Sequence, residues 1–226
     1  MIFGVVAVMA GTMAAFGQPM VVEQVQFGKY ADANRNLPPL RSGEKRVVFI
    51  GNSITENWGI ARPQFFATNN FVNRGIGGQT SYTVLLRFRA DVINLNPTAV
   101  VIGVGGNDIA SGNEWYDEDR TFGNIVSMVE LAEANGIKVV LTSLLPALNY
   151  PWNEAVTDVP RKIDSLNRRI KAYAKVRKLP YADYYTPLVH PGDGAFPVSF
   201  SDDGVHPNSS GYAIMEPVIQ AILKKM

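Results

Sequence analysis

Five short apolar runs recur along the chain at residues 47–52 (VVFIGN), 71–75 (FVNRG), 99–105 (AVVIGVG), 138–144 (KVVLTSL) and, more weakly, 180–185 (PYADYY). In the first and third the apolar residues are continuous rather than alternating, the pattern of strands covered on both faces in a parallel sheet. The segments between them, near 54–66, 80–93, 119–135 and 160–177, are long enough for crossover helices, and a last helix is expected at about 209–224, after Pro207. In the third of these, Ile125, Met128, Val129 and Ala132 share one face, and Asn135-Gly136 supplies a stop. The alternation predicts a three-layer α/β/α sandwich. A chain of 226 residues, 46% of them hydrophobic, suits one such domain, expected from Arg46 to Met226.

Ahead of that domain, residues 18–45 read as a short helix and a polar, turn-rich connection. The uncharged run Ile2–Phe16 ends in small residues, with a small-x-small site at Ala15-Phe16-Gly17, so residues 1–17 are expected to be a signal peptide and the mature chain secreted or periplasmic. The run is shorter than the ~20 apolar residues of a spanning helix, so no membrane insertion of the mature chain is expected. The first basic residue is Lys29; the usual positive start of a leader is therefore missing, as it would be if the true start lay upstream. An uncleaved anchor and a buried N-terminal helix are the alternatives.

Composition narrows the chemistry. The net charge is +1 and the basic residues are scattered, which leaves no electrostatic footprint for nucleic acid. Cysteine is absent, so disulfides, thiolate metal sites and a cysteine nucleophile are all excluded. His190 and His206 are the two histidines, which limits the general bases that titrate near neutrality.

In an open α/β sheet, ligands sit beyond the carboxyl ends of the strands, and four polar turns fall where such chemistry belongs. Gly51-Asn52-Ser53-Ile54-Thr55-Glu56 follows the first strand; a hydroxyl there meets the free N–H groups of a helix start, although Ser53 and Glu56 also match a capping box. In Asn73-Arg74-Gly75-Ile76-Gly77-Gly78-Gln79-Thr80 the backbone can approach a ligand closely, and Gly78 would offer an N–H to an oxyanion; a plain tight turn is the alternative. Gly103-Val104-Gly105-Gly106-Asn107-Asp108 puts a neutral amide donor, Asn107, at the end of the third strand, where good turn chemistry is the competing explanation. In Ser201-Asp202-Asp203-Gly204-Val205-His206-Pro207, a carboxylate and an imidazole three residues apart can fold onto each other, and Pro207 keeps His206 out of the next helix. A serine nucleophile needs such a base and such an orienting carboxylate. His190, in a Pro-Gly-Asp loop, is the competing base and is expected to be solvated or structural.

At these four places the chain resembles the SGNH hydrolases, or GDSL esterases and lipases, whose blocks contain a Ser, a Gly, an Asn and a His: here Ser53 in GNSIT, Gly78 in NRGIGGQTS, Asn107 in GVGGND and His206 in DGVHP. The resemblance implies a flavodoxin-like sheet of five parallel strands in order 2-1-3-4-5. It implies a Ser53–His206–Asp203 triad and an oxyanion hole of the Ser53 N–H, the Gly78 N–H and the Asn107 side chain. The usual Gly-Asp-Ser reads Gly-Asn-Ser, and Asn52 is expected to keep some of the aspartate's hydrogen bonds.

These readings lead to a serine esterase that works through an acyl-enzyme and needs no metal or organic cofactor. The partner expected is a small-molecule or glycan ester, with O-acetyl groups on carbohydrate favoured because Trp58, Trp115 and Trp152 lie in segments that would shape the cleft. The alternatives are a short-chain lipid or thioester acylhydrolase and, in another class, a non-catalytic glycan-binding module on the same fold. Oligomeric state is not legible in the chain.

Overall fold

The computed structural model describes residues 23–226; the leader expected at 1–17 and the beginning of the connection expected at 18–45 lie outside the described residues. The elements are α1 (Ala31–Arg35), β1 (Val47–Gly51), α2 (Ser53–Ala61), α3 (Pro63–Asn69), β2 (Phe71–Gly75), α4 (Ser81–Asp91), β3 (Ala99–Gly103), α5 (Gly106–Ala110), α6 (Glu118–Ala134), β4 (Lys138–Thr142), α7 (Val159–Arg177), β5 (Tyr181–Ala182) and α8 (Ser209–Leu223). The strands form one parallel five-stranded sheet in the order β2-β1-β3-β4-β5.

The continuous apolar runs are explained by the two cores they feed. Val48 and Ile50 of β1 pack with α4, α6 and α7 on one face of the sheet, whereas Val47 and Phe49 pack with α2, α3 and α8 on the other. A strand that buries both faces must be apolar at every position, and each such side chain contributes about 1.5–3 kcal/mol. In α6 the expected stripe of Ile125, Met128, Val129 and Ala132 is buried, and Gly136 beyond its end has φ +71°.

The structure departs from the expected elements in three places. The first crossover is two helices, because Pro63 lacks an N–H and forces Arg62 out of the helical region, to φ −136° and ψ 56°. β5 is only two residues long: just beyond it the chain turns, and the N–H groups of the consecutive residues Tyr184 and Tyr185 both donate to Ser143 Oγ, each at 2.9 Å. Asn107 lies inside the short helix α5 rather than in a turn.

The first three strands of the sheet order end in register, with Gly51 opposite both Gly75 and Gly103. Gly75 is required by close approach: a Cβ there would lie 2.1 Å from the Glu56 amide nitrogen and 2.8 Å from the Asn52 carbonyl oxygen. The first turn of α2 therefore lies directly on the end of β2, so the segments after Gly51 and Gly75 are neighbours in space.

Candidate active site

Ser53 opens α2, where Asn52 is the N-cap and its Oδ1 accepts from the Ile54 N–H at 3.1 Å. The capping expected as an alternative for Ser53 is thus done by its neighbour, and the Ser53 hydroxyl is free for other work. It lies 2.9 Å from His206 Nε2. On the far side of the ring, His206 Nδ1 lies 2.6 Å from Asp203 Oδ2. The other Asp203 oxygen accepts from the backbone N–H of Val205 at 2.9 Å and of His206 at 2.7 Å. Partial burial would raise the Asp203 carboxyl, but the bonds from the His206 backbone and ring and from Val205 outweigh it and hold the group below its ordinary range. An ionised carboxylate only accepts, so Nδ1 carries the ring proton and Nε2 is left as the acceptor for the Ser53 hydroxyl. Pro207 pairs with Ser201 as an isolated bridge, and α8 starts two residues later. His206 accordingly sits on a braced loop rather than in the helix.

The second turn runs from Ile76 to Gln79 and is closed by a Gln79 N–H to Ile76 carbonyl bond of 3.4 Å. Gly78, its third residue, has φ +74° and is exposed at its tip. Left-handed backbone at this position of a β-turn favours glycine. The turn touches the nucleophile segment: a Cβ on Gly77 would lie 3.8 Å from Ser53 Cβ. Asn107 Nδ2 donates one hydrogen to the Gln79 carbonyl at 3.0 Å, which leaves its second hydrogen for a ligand. Beside it Asp108 is buried and accepts from the Ser81 N–H and hydroxyl and the Thr121 hydroxyl. Burial pushes its carboxyl up against those bonds. Ser53, Asn107 and His206 all line one pocket of about 30 Å³, closed by Leu145, Tyr150 and Val205.

Residues 49–214 match the GDSL-like Lipase/Acylhydrolase family. The chain belongs to that family. The protein is a GDSL-type hydrolase of the SGNH superfamily, as the four blocks suggested. It is 53% identical to a GDSL-like lipase from Bacteroides thetaiotaomicron whose crystal structure superposes with a TM-score of 0.87, covering 90% of this chain and all of that one. Among curated relatives, Esterase TesA of Pseudomonas aeruginosa is 31% identical over 73% of this chain and 77% of its own length. Acetylxylan esterase of Xylanibacter ruminicola is 23% identical over 84% of this chain but only 45% of its own length. The aligned portions span from 34% to 77% of the curated relatives they match.

The aromatic residues expected around the acylhydrolase's cleft divide three ways. Trp58 is a correction: it is 2% exposed and lies stacked between Phe65 and Tyr212 in the core, at centroid distances of 5.0 and 5.5 Å. Its Nε1, with Tyr184 Oη, has no protein partner among the described residues; both side chains border a second cavity of about 40 Å³ behind Asn52 and Leu145. Trp115 is exposed and does not line the pocket. Trp152 is half-exposed and lies 5.7 Å from the His206 ring, centroid to centroid. Asn52 is among the residues that line the pocket. His190 stands on its own loop, 2.9 Å from Asp193, and is not a pocket residue.

Two residues that support the site were missed in the sequence. Gln79 and Arg87 join the turn after β2 to the end of β1, through Arg87 Nε to Gln79 Oε1 (2.5 Å) and Arg87 Nη2 to the Gly51 carbonyl (2.9 Å). A signal existed: Arg87 lies between Val84 and Phe88 in a helix and four residues before Asp91, the spacing of an ion pair on a buried face.

Proposed function

We propose that this acylhydrolase cleaves short-chain carboxylic esters, with O-acetyl groups on carbohydrate as its substrate class, using Ser53 as nucleophile, His206 as general base and Asp203 as the carboxylate that orients it. The observation that carries the reading is the unbroken line from Asp203 Oδ2 to Nδ1 (2.6 Å) and from Nε2 to Ser53 Oγ (2.9 Å). Ser53 Oγ attacks the ester carbonyl as its proton passes to Nε2. The tetrahedral oxyanion is held by the N–H groups of Ser53 and Gly78 and the free Asn107 hydrogen. The imidazolium then protonates the leaving alcohol, and water attacks the acyl-enzyme by the same route in reverse.

Three features support the substrate class. The pocket at Ser53 is small and apolar-walled, which suits an acyl group of few atoms. Trp152 stands at its lip beside His206, a flat apolar face of the kind sugars stack on. Similarity to an acetylxylan esterase points the same way. The leader-like residues 1–17 support action outside the cytoplasm on such polymers. A glycan-binding module without activity would have no use for the proton path.

The test compares 4-nitrophenyl acetate, butyrate and octanoate, followed by acetate release from acetylated xylan. Turnover falls with acyl length and acetate is released from the polymer. Ser53→Ala and His206→Ala each lower kcat by roughly 10³-fold or more with the fold intact, and His190→Ala leaves it unchanged. A Ser53→Ala enzyme that retains native turnover sinks the mechanism; preference for octanoate sinks the substrate class.

A further inference from the structure

We infer that the segment Gln24–Tyr30, which precedes the family-matched residues 49–214, is a working part of the active site: it braces the Gly77–Gly78 turn against Ser53, and its Lys29 neutralises the carboxylate that does the bracing. The inference rests on the reading of the Gly78 N–H as an oxyanion donor.

Among the described residues, four side-chain hydrogen bonds leave this segment or enter it, and all involve the strand end or turn that carries Gly78, or the Glu56 that holds it. Tyr30 Oη donates to the Gly75 carbonyl at 2.5 Å. Gln79 Nε2 donates to the Val25 carbonyl at 2.8 Å and to the Gln24 carbonyl at 3.2 Å. Lys29 Nζ pairs with Glu56 Oε1, and the other oxygen of the same carboxylate accepts the Gly77 N–H at 2.5 Å. Glu56 lies one helical turn beyond Ser53 on α2, so the carboxylate connects the helix that carries the nucleophile to the turn that carries Gly78. With Gly77 tied to α2 and Gln79 tied to residues 24 and 25, Gly78 is held from both sides.

The arrangement raises an electrostatic difficulty that Lys29 resolves. A carboxylate against Gly77, one residue from the proposed oxyanion donor, would oppose the negative charge that develops in the transition state. Lys29 supplies the opposite charge at the carboxylate oxygen that does not accept the Gly77 N–H. The pair is 31% and 25% exposed, a setting in which an ion pair adds little to folding. Its effect should therefore fall on the rate rather than on stability. Glu56 and Lys29 are positioning residues, and neither needs to touch the substrate.

The experiment is a charge cycle in the full chain, reading kcat and KM for 4-nitrophenyl acetate together with the thermal midpoint of each variant. Lys29→Met, which leaves the carboxylate uncompensated, lowers kcat about tenfold with KM and midpoint little changed; Glu56→Ala, which frees the turn, lowers it about a hundredfold. Glu56→Gln keeps an oxygen for Gly77 and loses less than Glu56→Ala. The decisive variant is Lys29→Met with Glu56→Gln: removing the charge restores kcat to near the Glu56→Gln value. Native kcat in Lys29→Met, or a double variant as slow as the product of the two singles, overturns the inference, as do losses of rate that simply follow the midpoint. Ser53→Ala is run in parallel. If it is active, the reading of the whole site fails; if it is dead while Lys29→Met is native, this inference alone fails.

Discussion

Asp203 has two oxygens and divides them between two tasks. One meets the His206 ring, and the other takes the N–H groups of Val205 and His206, which holds the loop in the shape that delivers the ring. Asp203→Asn keeps the size and loses the charge. An amide in place of the carboxylate no longer holds the proton on Nδ1, so kcat for acetate esters should fall by about 10³–10⁴-fold while KM barely moves. The same residue makes a prediction about pH. Its carboxyl is held below the ordinary range, so its contribution to stability is present above the unfolded value and is lost as pH falls through the lower folded one. The side chain is 44% exposed, which keeps the effect under about 1 kcal/mol. The midpoint deficit of Asp203→Asn relative to the native chain should be full at neutrality and shrink in acid. A deficit that grew on acidification would mean that the carboxylate is not stabilised in the fold.

The loop that brings Trp152 beside His206 is tied to the end of α5 and the loop after it. Asn153 Nδ2 donates to the Ala110 carbonyl at 2.9 Å, and Asn113 Nδ2 to the Ala155 carbonyl at 3.0 Å, so the loop that carries Trp152 is fastened to the end of α5. A fastened aromatic face can act as a platform for a sugar ring without first being ordered. Trp152→Ala is expected to raise KM for acetylated xylo-oligosaccharides about tenfold, by removing roughly 1.4 kcal/mol of stacking, with a much smaller change for 4-nitrophenyl acetate. Equal changes on both substrates would place Trp152 with the imidazole rather than with the sugar. At this scale the sequence was legible where one physical rule dominates. Continuous Val-Val-Phe-Ile and Val-Val-Ile runs read correctly as strands covered on both faces, and Pro207 correctly predicted where the last helix could not begin. Trp58 was misread, although helix geometry could have placed it. It follows Ser53 by five residues, which at about 100° per residue carries it some 140° around α2, onto the face it shares with buried Thr55. α5 stayed hidden because Gly-Gly-Asn-Asp reads as a turn. What makes it a helix is long-range: Asp108 is held by Ser81 on α4 and Thr121 on α6.

Across the whole molecule, the ends of β1 and β2 at the candidate site are joined underneath by one buried cation. Arg87 is fully buried and donates to Gln79 Oε1, to the Arg74 and Gly51 carbonyls and to Asp91, so a single side chain connects the end of β1, the end of β2 and the turn after it. Asp91 in turn accepts from Asn34, and Asn34 Oδ1 accepts from Arg74 Nε, which extends the network into α1. Burial pulls the Arg87 guanidinium down from its ordinary value, and the hydrogen bond and charge of Asp91 oppose that pull. Such a pair is costly to desolvate but far costlier to break, because removing one member leaves the other charged, buried and alone. Arg87→Met preserves much of the volume and strands Asp91, two carbonyls and the Gln79 amide. The expected loss is about 3–5 kcal/mol, which for a chain of this size lowers the thermal midpoint by roughly 6–20 °C. The loss should not be uniform. Hydrogen exchange should rise first in the Ile76–Gln79 turn and in α1, the parts that Arg87 holds from below, before it rises in β4, whose partners β3 and β5 take no hydrogen bond from it. If the midpoint of Arg87→Met stayed within a degree or two of the native value, the network would be a passenger in the fold and the alignment of Gly51 with the Gly78 turn would have to come from the sheet register alone.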